Sequence, residues 1–156
     1  HPHRRLHDPR LTVERPDERS DARERALYLL YEAHSKGIAP ADTIDLQVIE
    51  PDELTQQLVR GVGVNLARLD EMIAARAKGW TLARMPVLDL NVMRLGAYEL
   101  LERGDVPTAV VLNEAVELAK RFSTDDSGRF VNGVLAAIAA EIRPVAVAAE
   151  EPAQDV

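Results

Sequence analysis

The residues best suited to chemistry fall in one short run, Asp125, Asp126, Ser127, Arg129 and Phe130, within the string DDSGRF. Carboxylates at a helix start are favoured by capping and by the helix dipole, so structure alone accounts for the two aspartates. Arg129 and Phe130 add a guanidinium and a ring. Packing Phe130 into a core is the simpler reading; an exposed ring would stack on a base, the way single-stranded RNA is held. A second set is Arg19, Arg23 and Arg25. Arg19 and Arg23 are four apart and share a helix face near a helix N-terminus, where backbone N–H groups attract anions. A phosphate-binding patch and a solvated face of Arg–Glu pairs with Glu18, Asp21 and Glu24 are both open.

Enzyme chemistry has little support. The chain has no cysteine, which excludes disulfides, thiolate metal sites and thiol nucleophiles. His34 is the only histidine beyond the first seven residues, no Ser–His–Asp spacing is evident and no Gly-rich phosphate loop occurs. Paired carboxylates alone are weak grounds for acid–base catalysis. His1, His3 and His7 could ligate a metal, but an unstructured terminus is the favoured reading, so no metal or cofactor is expected. Glu99, Glu102 and Asp105 lie near a helix C-terminus, where the dipole disfavours them. They form either a solvated face or a surface for a basic partner. Asn113 and Asn132 read as packing or loop-tying amides, and Trp80 as a core anchor.

These groups must be positioned by helices. Residues 1–19 show no periodicity and carry three prolines, and read as a flexible arm. Asp21 with Glu24 resembles a capping box opening the first helix, with Ala26, Leu27, Leu30 and Tyr31 inward and Gly37 as its C-cap. Residues 38–50 are loop-like, with room for one helical turn. A second helix starts at Pro51 and ends near Gly61 and Gly63; a third runs from about Val64 to Lys78. A short segment from Trp80 ends before Pro86. Further helices cover Val87 to Glu102, a stretch opening at Pro107 and ending near Phe122, and a last one capped by Asp125 or Asp126 that ends at Pro144. Glu117 and Arg121 form a supportive i,i+4 pair. Residues 144–156 read as a disordered tail. The expected class is all-α, a compact bundle of about seven helices in one domain, residues 20–143.

The charge is uneven. The chain carries a net charge of −7, and residues 37–156 hold 11 basic against 19 acidic side chains. Phosphate attraction scales with local positive charge, so nucleic-acid contact must be confined to a basic patch, best placed in the N-terminal third. No apolar run reaches the ~18 residues of a membrane helix, and the start does not read as a signal peptide, so a cytoplasmic protein is expected.

Three blocks resemble the NusB family of transcription antitermination factors. The first is Ala22-Arg23-Glu24-Arg25-Ala26-Leu27 through Tyr31. The second is Trp80-Thr81-Leu82 with Met93-Arg94-Leu95-Gly96-Ala97-Tyr98-Glu99-Leu100-Leu101. The third is Asp105-Val106-Pro107, then Asn113 to Lys120 and Asp125 to Leu135. The resemblance spans about residues 20–143. It implies two packed helical subdomains. It also implies binding of boxA RNA from ribosomal RNA operons together with a small ribosomal protein, NusE, so that RNA polymerase resists early termination. Arg19 and Arg23 fall at the family's basic N-terminal RNA-binding motif, Asp126, Arg129 and Phe130 in its second RNA-proximal segment, and Asp89 and Glu99 in the region expected to meet the partner. Ser20 and Asp21 interrupt the arginine run usual in the family, which weakens the expected phosphate contacts. Arg4, Arg5, Arg10 and Arg15 could compensate from the arm. A homodimer is compatible with the helical surface. NusB-like domains also open an RNA cytosine methyltransferase, but that enzyme needs a catalytic cysteine. A protein-only helical adaptor is the third reading.

Overall fold

The computed structural model describes residues 16–143. Seven α-helices and one 3₁₀ turn make up the regular structure there: α1 (Pro16–Lys36), α2 (Pro40–Asp45), α3 (Glu53–Val64), α4 (Leu66–Arg76), the 3₁₀ turn Leu82–Arg84, α5 (Val87–Glu102), α6 (Thr108–Phe122) and α7 (Asp125–Ile142). No strand occurs among the described residues, as the all-α expectation requires.

The architecture follows from α5. Its residues are apolar on nearly every side, and a helix of that kind must be central. Leu90, Val92, Met93, Leu95, Ala97 and Leu100 are all buried. Around it, α1, α2 and α3 pack together on one side, while α4, α6 and α7 enclose the other; α6 against α7 is the most extensive pairing. Close approach is made at Gly96. A Cβ there would lie 2.6 Å from Leu135 Cδ1 of α7.

Helix ends account for most departures from expectation. α1 opens at Pro16, five residues before Asp21, because a proline at the first helical position loses no needed N–H. Asp21 is therefore mid-helix and exposed, and residues 16–19, read as arm, are helical. Residues 1–15 and 144–156, with the arm's histidines and distal arginines and the tail, lie outside the described residues. Tyr31 is exposed and Leu29 takes the inward position instead. The single turn anticipated after Gly37 is α2. α3 opens at Glu53, two residues past Pro51, and Asp52 caps it: its side chain accepts from the Thr55 backbone N–H at 3.1 Å. The α6–α7 corner has a similar correction. Thr124, not either aspartate, caps α7; its hydroxyl accepts from Ser127 N–H at 3.2 Å, and Ser127 Oγ accepts in return from Thr124 N–H. Gly37 and Gly79 have φ of 66° and 81°, so both turn the chain where a side chain would be strained.

Candidate nucleic-acid interface

The start of α7 presents the first residue set. Asp126 and Arg129 sit one turn apart with side chains 95% and 90% exposed, their charged atoms 3.8 Å apart. An ion pair this solvated holds neither side chain firmly, so both remain available to a ligand. Phe130 is half-buried against the core. Its ring lies 5.8 Å from that of Trp80, tilted by 42°. Trp80 itself is 48% exposed. The core-anchor expectation for Trp80 thus fails: the tight turn at Gly79 leaves the indole on the surface, where it flanks Phe130. Together they make a two-ring surface that includes the residue following Arg129 in α7.

The basic N-terminal set divides. Arg19 is half-buried at the surface of α1. Arg23 is only 3% exposed. Its Nε and Nη2 donate to the two carboxylate oxygens of Glu99 at 2.7 and 2.9 Å, and Nη1 donates to Glu114 at 3.2 Å. Burial alone would pull the guanidinium down, but Glu99 and then Glu114 outweigh it and raise it above its ordinary value. Ser20 Oγ donates to the same Glu114. Arg25, on the opposite flank, bonds Asp52 and not a free face. The sequence reading of Arg23 as a phosphate contact is corrected on this geometry. Its bonding capacity is already committed to two carboxylates inside the protein.

Asp89 and Glu99 are corrected on the same ground. They are 3% and 2% exposed, so neither presents a carboxylate to a protein partner. Asp89 Oδ2 accepts from Ser127 Oγ at 2.8 Å, while its Oδ1 makes no hydrogen bond among the described residues. The two carboxylates are instead attachment points on α5. Glu99 fixes α1 through Arg23, and Asp89 fixes the first turn of α7 through Ser127. They lie ten residues apart, about 15 Å along the helix axis. Ser127 stood out in the DDSGRF run but not as the partner of Asp89, and Glu114 was not foreseen, because one acid among many carries no distinctive spacing.

Two further placements differ from expectation. Asn113 and Asn132 are exposed, not packed. They line a groove of about 520 Å³ between α6 and α7, with Lys120, Asp125 and Arg129. Arg121 reaches Glu24 of α1 at 2.9 Å instead of pairing with Glu117. Among the described residues no group of three or more His, Asp or Glu side chains is arranged to hold a metal ion. No helix there is long and apolar enough to cross a membrane.

Comparison with known proteins agrees with this helical architecture. The NusB family model matches residues 20–140. The transcription antitermination protein NusB of Saccharopolyspora erythraea is 53% identical over 127 residues, covering 78% of this chain and 86% of that protein. Among solved structures, T. maritima NusB superimposes with a TM-score of 0.73 at 34% identity, covering 79% of this chain and 91% of that one. A structure of the antitermination factors NusB and NusE in complex with double-stranded RNA gives a TM-score of 0.68 at 25% identity, over 79% and 96% of the two chains. The chain therefore belongs to the NusB family.

Proposed function

We propose that this protein is a transcription antitermination factor. It binds boxA RNA of ribosomal RNA operons together with the ribosomal protein NusE, and the assembly keeps RNA polymerase from terminating early. It works by binding, without catalysis, in the cytoplasm. Membership of the NusB family supports this reading, as does the likeness to a NusB solved with NusE and RNA.

The observation that carries it is the surface at the start of α7. An exposed guanidinium and an exposed carboxylate lie one turn apart there, and the next residue, Phe130, meets the ring of Trp80. Each group has a role in holding unpaired RNA. Arg129 pairs with a phosphate, Asp126 accepts from a base amine, and Phe130 with Trp80 stacks a base. Arg19 supplies a second phosphate contact from α1. Arg23, Asp89 and Glu99 act one step back, holding α1 and α7 at a set spacing on α5.

The test is binding of a boxA RNA and a scrambled RNA, with and without NusE, at two salt concentrations. Selective binding strengthened by NusE is expected. Equal binding of both RNAs under every condition overturns the reading and leaves a protein-only adaptor.

A further inference from the structure

At the C-terminal end of α6, Arg121 lies over the ring of Phe122, with its guanidinium carbon 4.9 Å from the ring centroid. Its Nη2 is held by Glu24 Oε1 of α1 at 2.9 Å. The Arg121 side chain is nonetheless 56% exposed. Tyr28 of α1 also meets the Phe122 ring, edge-on at 5.5 Å, and is 49% exposed. The Tyr28 hydroxyl in turn donates to Glu24 at 3.3 Å. The guanidinium is therefore seated on an aromatic ring on one side and clamped at one edge, with much of its surface open.

That arrangement ties α6 to α1 through Glu24, yet leaves more than half of the Arg121 side chain exposed. Phe122 is anchored against the core, but Arg121 and Tyr28 bury little. A planar cation fixed on a ring is a stacking surface for a second planar group, and unpaired bases stack on guanidinium planes as they do on aromatic rings. Its position matters too. It lies on the seam where α1 meets α6: Glu24 is five residues along α1 from Arg19, and Arg121 is three residues before Thr124, which caps α7.

Resting on the RNA-binding reading above, we propose that Arg121, seated on Phe122 and flanked by Tyr28, forms a second base-stacking position. It takes an unpaired RNA base between the part of the strand held at Arg19 and the part held at Phe130. Stacking tolerates the acidic neighbour Glu24, because it depends on contact between planes more than on net charge.

The experiment uses boxA RNA carrying a single 2-aminopurine, moved through successive positions, with the full chain and NusE. Arg121→Ala should weaken binding about tenfold, the loss of one stacked base. Arg121→Lys keeps the charge but not the plane and should lose nearly as much. Both should relieve the fluorescence quenching at one RNA position, distinct from the position affected by Phe130→Ala. Tyr28→Ala should relieve it in part. If the unaltered chain binds selectively but Arg121→Lys binds equally well and no reporter position changes, the stacking position is wrong while the RNA-binding reading stands. If the unaltered chain shows no selectivity, both fall. Unchanged melting temperatures in Arg121→Ala and Arg121→Lys separate lost stacking from lost folding.

Discussion

Arg23 and Glu99 are bonded to each other in the interior, and that decides what a substitution there measures. Removing one member of a buried pair leaves the other charge without its partner, which costs about 3–5 kcal/mol. Arg23→Ala should therefore lower the unfolding free energy read from chemical denaturation by that amount, with Glu99 and Glu114 left without the shared cation. A phosphate-contact role would instead cost about 1 kcal/mol of RNA affinity and no stability. Arg23→Met combined with Glu99→Leu should recover much of the loss, since no uncompensated charge remains. A double variant as unstable as Arg23→Ala alone would show that the site cannot repack. The sequence identified these residues but not their partnership. The i,i+4 spacing of Arg19 and Arg23 places both on one side of a helix without saying which position the core covers, and Glu99 is 76 residues away. Asp89 escaped for the same reason, its partner Ser127 lying 38 residues on.

Helix identity was legible because apolar spacing is a local property; helix ends were less so, because several residues compete for each cap. Asp52 shows how a cap also senses pH. Burial pushes its carboxyl up, but the bonds from Thr55 and Arg25 outweigh burial and hold it below the ordinary carboxylate range. A carboxyl lowered on folding stabilises fully above its unfolded value of about 4 and loses that contribution as pH falls through the lower folded value. Asp52→Asn keeps a capping oxygen, whereas Asp52→Ala should cost about 0.5–2 kcal/mol at neutral pH. The unaltered chain should lose stability more steeply than Asp52→Asn from about pH 4 downward, as read by melting temperature; parallel curves would remove Asp52 from the linkage. The glycines of α5 and α7 make a second test. Gly133 has nothing within 4 Å of where a Cβ would stand, so Gly133→Ala should stabilise by about 0.5–1 kcal/mol through helix propensity. Gly96→Ala gains the same propensity but drives a Cβ into the fully buried Leu135, and should destabilise by about 1–3 kcal/mol. Thermal melts of the two variants should move in opposite directions.

At the scale of the whole molecule, charge sets how RNA can be held. The chain is acidic overall, and residues 37–156 account for the excess. Such a surface repels a phosphate backbone everywhere except at local cationic points, of which Arg19 and Arg129 are the proposed ones. Affinity must then come from stacking and polar contacts and from a partner, with few counterions released. For single strands the logarithm of affinity falls with the logarithm of salt at about 0.7 per neutralised phosphate. Two or three phosphate contacts predict a slope between about −1.5 and −2, measured by titrating boxA RNA into the complex with NusE across a salt series. Arg129→Ala should flatten that slope by a little under one unit. Phe130→Ala should lower affinity at every salt concentration by roughly 1–3 kcal/mol and leave the slope unchanged, because a stacked ring releases no ions. A slope steeper than about −4 would instead place several arginines of the N-terminal arm on the phosphates, making the arm and not the α7 surface the main source of attraction.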